Sequence, residues 1–206
     1  VTGAALWYLN RATGMVALVL MTLTIVLGTT VRRHGRLPGL PRFGVVHMHR
    51  NVALLSALLV AGHVVTAVVD SYVDIGATAA VLPFTAGYRP LAVGLGALAV
   101  DLALLVLVTS LLRDRLPRRL WAPVHLTSYA LWPLAAVHGL TAASDLGGGW
   151  LLLLVLACAA ATAWASLAAL ATRRAARPPS ERARDAMAES VAAFAAGRPA
   201  GRYRNG

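Results

Sequence analysis

The chain has 206 residues, 58% of them hydrophobic and only 13% charged, with a mean hydropathy of +0.68. A soluble domain carries roughly 25% charged residues, so this chain cannot cover a water-facing surface. Its formal charge of +11 comes from 19 arginines, with no lysine, against eight acidic residues; the arginines cluster between apolar runs, which excludes a soluble basic face for nucleic acid and points to membrane topology.

A helix crossing a bilayer core of about 30 Å needs about 20 apolar residues. Five such runs follow in chain order, at residues 12–31, 51–69, 91–112, 121–143 and 150–172. Between them stand the Gly, Pro and charge that helices in lipid avoid, at 36–41, 83–90 and 147–149. The first run is too long, and Arg-rich at the wrong end, for a cleaved signal peptide. The expected fold is therefore all-α, a polytopic membrane helix bundle of about five transmembrane helices over residues 1–172. An Arg/Ala-rich tail covers 173–206, with a short solvated or membrane-surface helix expected over 180–196.

Arginine counting sets the expected orientation. Five arginines fall in 32–50 (Arg32, Arg33, Arg36, Arg42, Arg50), four in 113–119 and eight after Thr172, against only Arg11 and Arg89 on the opposite side. The positive-inside rule then puts both Arg-rich loops and the C-terminus in the cytoplasm and the N-terminus outside, in a bacterial cytoplasmic membrane. The tail is too short for flavin and nicotinamide modules of about 100–150 residues each, so no FAD or NADPH site is expected in this chain. The single cysteine, Cys158, lies inside the last apolar run, which leaves no disulfide and no Cys-type metal site within the chain.

Chemistry must then come from polar groups inside the spans. His34 and His47 read as loop residues among arginines, whereas His49 and His63 bracket the second span and His125 and His138 the fourth. At about 1.5 Å per residue, intervals of 14 and 13 residues cover roughly 21 and 20 Å, so the two helices present imidazoles at two matched depths. His49 is expected to face His125 near the inner surface, and His63 to face His138 near the outer one. That separation rules out one four-histidine centre and fits two bis-imidazole irons, because haem accepts an axial ligand on each side of its plane.

Helical phase supports the first pair of positions and strains the second. Fourteen residues return to within about 40° of the same face, while thirteen miss by about 140°. Pro133, between His125 and His138, is the expected site of a bend or rewinding that realigns them. Small residues beside the histidines (Ala53, Ser56, Gly62, Ala135, Ala136, Gly139) suit either a flat macrocycle or plain helix packing. Arg50 or Arg42 inside, and Arg11 or Arg89 outside, are placed to pair with anionic propionates. Asp101, mid-way along the third span, must face the bundle.

Taken together, His49-Arg50 with His63, His125 with His138-Gly139, and the stretch Thr109-Ser-Leu-Leu-Arg113 leading to Trp121, Ser128-Tyr129 and Trp132 resemble the ferric reductase-like transmembrane domain. The resemblance covers about residues 6–172. It implies that His49 and His125 ligate an inner b-type haem and His63 and His138 an outer one. It also implies that Arg11 stands at the outer haem, where the external acceptor is reduced. The implied activity is that of an oxidoreductase component, a transmembrane electron conduit. Two departures from the family pattern are expected within this sequence: five spans in place of the family's usual six, and no fused flavin domain. The second puts the electron donor on a separate flavoprotein reductase or on quinol. Two other readings compete, a quinol-linked cytochrome b subunit of a larger complex and a non-redox transporter or proton channel whose histidines carry protons.

Overall fold

In a computed structural model, residues 2–32, 41–70, 75–143, 149–175 and 179–195 are described. They form seven α-helices in the order α1 (Thr2–Arg32), α2 (Arg42–Val69), α3 (Pro90–Leu111), α4 (Arg118–Leu126), α5 (Ser128–Ala142), α6 (Trp150–Ala175) and α7 (Pro179–Ala195). Among the described residues there is no strand. His34 and the arginines at 33 and 36 lie outside the described residues.

Four of these helices are long and apolar enough to cross a membrane, at Ala5–Arg32, Arg42–Val69, Pro90–Leu111 and Trp150–Ala171. The helical membrane bundle expected from hydropathy is therefore the fold. Its exposed side chains agree with lipid as solvent: Leu58, Leu153 and Trp164 are 68%, 67% and 71% accessible on helix faces that water would not tolerate.

Two expected boundaries are corrected. The second helix begins at Arg42, nine residues before the apolar run, because nothing after Pro41 interrupts it. His47 and Arg50, expected in the loop, are thus helical, as is His49. The fourth expected span is two helices, α4 and α5, broken at Thr127. The break has a local cause. Thr127 Oγ donates to the Val124 carbonyl at 2.7 Å, and Ser128 Oγ to the His125 carbonyl at 2.7 Å. Adjacent hydroxyls compete with backbone N–H groups for these acceptors, and the Thr127 N–H tightens to a three-residue bond on Val124. α5 runs through Pro133, so the interruption between His125 and His138 falls six residues earlier than the proline suggested.

Residues 1–166 form one compact unit and 167–206 another. In the first, α1 packs along α2, α3 along α5, and α1 also meets α5. Its core is a seam of Leu18 and Ile25 from α1, Trp132 and Ala136 from α5, and Leu151, Val155 and Cys158 from α6. At the centre of that seam the Trp132 indole donates to Thr22 Oγ at 2.8 Å, which removes the one polar conflict an indole brings into a core. α3 starts with Pro90 at its first turn, preceded by Arg89 in the left-handed region at φ 42°. In the second unit, α7 spans the short helix expected in the tail and exposes Met187 and Val191.

Candidate functional site

The four bracketing histidines meet in two pairs. His49 of α2 and His125 of α4 have ring centres 6.3 Å apart with planes at 74°. His63 of α2 and His138 of α5 have ring centres 6.1 Å apart with planes at 79°. With metal–nitrogen distances of about 2.0–2.1 Å, each pair of rings would leave room for one metal ion between its two imidazoles.

Each ring is held by its Nδ1. His49 donates to the Thr24 carbonyl at 3.0 Å, His63 to the Asn10 carbonyl at 2.9 Å and His138 to the Ala92 carbonyl at 2.8 Å. A backbone carbonyl accepts but cannot donate, so it fixes the proton on Nδ1 and leaves Nε2 as a lone-pair donor, the usual arrangement behind a metal-bound histidine. His125 differs: its Nδ1 meets Ser110 Oγ at 3.3 Å, and its ring stacks on Trp121 at 4.8 Å and 22°.

Three glycines let these rings sit where they do. A Cβ at Gly14 would lie 2.9 Å from the His63 ring, one at Gly28 3.2 Å from the His49 ring, and one at Gly96 2.6 Å from the His138 ring. On α1 the two glycines are 14 residues apart, as are the two histidines they face on the antiparallel α2. By contrast Gly62 and Gly139, adjacent to His63 and His138 in sequence, have nothing within 4 Å of an added Cβ. Ser56 donates to the Ala17 carbonyl at 3.4 Å and serves the α1–α2 contact.

His63 and His138 open into a cavity of about 810 Å³ between α1, α2, α3, α5 and α6. Arg11, Asn10, Arg89 and Asp70 contribute its polar groups and Gly14, Gly96 and Gly139 part of its floor. The Arg11 guanidinium lies 4.5 Å from the Trp7 ring centre. Arg89 donates to the Thr141 and Ala143 carbonyls at 2.9 and 3.3 Å and so caps the C-terminus of α5. Arg50 is exposed, one residue past His49 on α2, and Arg42 is exposed at that helix's start. Among the described residues no group of three or more His, Cys, Asp or Glu is assembled for a metal ion. A porphyrin iron, which brings four nitrogens of its own, asks only two ligands of the protein. The ring separations and the open space at Gly139 fit that group.

Residues 13–136 match the family model described as "Ferric reductase like transmembrane component". The chain belongs to the ferric reductase-like transmembrane family. His49, His63 and His125 lie inside the matched stretch and His138 two residues beyond it. No curated protein and no solved structure gives a significant match. Members of the family typically bind haem, and this ferric reductase-like chain is a multi-pass membrane protein with a role in transmembrane electron transfer.

Sequence reasoning missed Asn10, Gly14, Gly28 and Gly96, and gave Ser110 no role of its own within Thr109-Ser-Leu-Leu-Arg113. Asn10 carried a signal, as an amide beside Arg11 at the head of an apolar helix. The carbonyls of Thr24, Asn10 and Ala92 carry none, because every residue has one.

Proposed function

We propose that the chain is a di-haem b-type electron conduit that passes electrons from a cytoplasmic or membrane donor to an acceptor on the outer side of a bacterial cytoplasmic membrane. The observation that carries this reading is the pairing of His49 with His125 and of His63 with His138 at ring separations of 6.3 and 6.1 Å. Bound there, two haems supply one-electron carriers at two depths.

The protein's own residues do the rest. The carbonyls of Thr24, Asn10 and Ala92 hold three Nδ1 protons and thereby leave Nε2 of His49, His63 and His138 as the lone-pair nitrogen. Arg11 and Arg89 bring positive charge to the cavity beside His63 and His138, where they neutralise propionates and attract an anionic acceptor. Arg11 is the residue in this reading that meets the external acceptor. Arg50 and Arg42 serve propionates of the inner haem. The apolar seam around Trp132 keeps water from the path between the two depths. The arginine asymmetry favours an N-terminus outside and the His49/His125 pair toward the cytoplasm. A separate flavoprotein reductase or quinol is the donor.

The test is a dithionite-reduced minus oxidised absorption spectrum of the purified protein, with a pyridine haemochrome count, on wild type, His63→Leu and His125→Leu. Two b-type haems per chain, one lost in each variant, is the expected result. A colourless protein from haem-replete cells, or unchanged haem content in both variants, would sink the reading.

A further inference from the structure

We propose that Ser110, Trp121 and Arg113 are positioning residues that set the reduction potential of the haem held between His49 and His125, independently of the other haem: Arg113, through Trp121, raises it, and Ser110 lowers it less than a backbone carbonyl would. The inference rests on the di-haem reading above and concerns how one of its two sites is tuned.

The four imidazoles are not equivalent. Three give their Nδ1 proton to backbone carbonyls at 3.0, 2.9 and 2.8 Å, and only His125 faces a side-chain hydroxyl, at the longest of the four distances, 3.3 Å. Once Nε2 holds a metal, Nδ1 carries the proton and Ser110 Oγ must accept. A hydroxyl oxygen accepts less strongly than an amide carbonyl, so it withdraws less of the proton and leaves the ring a poorer donor. A poorer axial donor stabilises the ferric state less, which favours uptake of the electron.

Charge acts in the same direction. The Arg113 guanidinium lies 5.5 Å from the Trp121 ring centre, and Trp121 stacks on His125. The indole N–H is buried with no hydrogen-bond partner among the described residues, so stacking neighbours and not a hydrogen bond orient this ring. A cation beside the ring that stacks on the ligand lowers the energy of the iron with one more electron. Ser110 and Arg113 stand three residues apart where α3 ends, within the Thr109-Ser-Leu-Leu-Arg113 stretch, and both act on the His125 end of the inner pair. Neither residue has a counterpart at His63, His138 or His49 among the ring contacts described.

The test is a spectroelectrochemical redox titration of the haem-loaded protein as wild type, Ser110→Ala and Arg113→Gln, with His63→Leu identifying the wave that belongs to the His49/His125 site. Arg113→Gln is expected to lower that wave alone, by about threefold to tenfold in the reduction equilibrium, the larger figure being about 59 mV for one electron. Because Arg113 is exposed, the shift should shrink in high salt. Ser110→Ala is expected to raise the same wave, since it removes the acceptor, and a merely structural role would not produce shifts of opposite sign. Two haems with both waves unmoved, both waves moving together, or Ser110→Ala lowering its wave would overturn the inference and leave the di-haem reading intact. Protein without haem would overturn both.

Discussion

Asn10 and His63 grip each other twice. The Asn10 carbonyl accepts from His63 Nδ1 at 2.9 Å, and the Asn10 amide donates to the His63 carbonyl at 2.7 Å and to Thr66 Oγ at 3.1 Å. The ring of one helix and the side chain of another thereby fix each other's height. Asn10→Ala keeps the carbonyl that holds Nδ1 but loses the brace. We expect a loss of about 0.5–1.5 kcal/mol per bond in stability. Haem retention at the outer site should fall toward the lower end of the about 10–100-fold range known for partners of metal-bound histidines. Thermal loss of the haem absorption band, compared with wild type, measures it; identical curves would show the brace to be idle.

The glycines facing the imidazoles should tolerate substitution in the order of their clearances. Gly96→Ala puts a methyl 2.6 Å from His138 Nδ1 and Gly14→Ala one 2.9 Å from the His63 ring, while Gly28→Ala leaves 3.2 Å to His49. Overpacking of this kind costs about 1–3 kcal/mol. Gly96→Ala and Gly14→Ala are expected to reduce haem content at the outer site and Gly28→Ala to have the mildest effect, at the inner. Gly62→Ala, with nothing within 4 Å, is the control and should be neutral or stabilising. A haemochrome count on the four proteins decides between this order and a uniform response.

Thr22→Val should separate the core from the haem sites. It strands the Trp132 indole N–H in a buried seam, at a cost of about 1–3 kcal/mol. Trp132→Phe removes the donor together with its need for a partner and should cost less for the hydrogen bond itself. The unfolding midpoint in detergent is expected to drop for Thr22→Val with the oxidised and reduced spectra unchanged. A spectral change would mean that the seam reaches the haems directly.

Orientation can be read with single cysteines. In a Cys158→Ala background, a membrane-impermeant thiol reagent added to intact cells should label Tyr88→Cys and spare Arg115→Cys until the membrane is permeabilised. Both positions are exposed in the fold. The reverse pattern would invert the direction of electron flow.

Hydropathy alone located the long helices, because about 20 apolar residues have few other uses. The histidines were legible for a related reason: ionisable groups in apolar runs are rare, and matched intervals are rarer still. The break at Thr127 was not, since two hydroxyls in a row are as common in loops as in helices, and Pro133 drew attention to the wrong position. The start of α2 was missed because hydropathy marks where a helix enters lipid and not where it begins. The hydrogen-bond partners of His49, His63 and His138 are main-chain atoms, and only packing selects which carbonyl a ring finds.

The equal 14-residue intervals of Gly14 to Gly28 and of His49 to His63 also constrain how such a chain can change. One residue inserted between the glycines would rotate everything beyond it by about 100° and advance it by about 1.5 Å. One ring would then meet a side chain where it now meets a gap, while the other stayed in place. Insertions inside these two helices are therefore tolerable only in compensating pairs. The distance between the two histidine levels, roughly 21 Å by helical rise, is set inside α2 and does not depend on where that helix begins or ends.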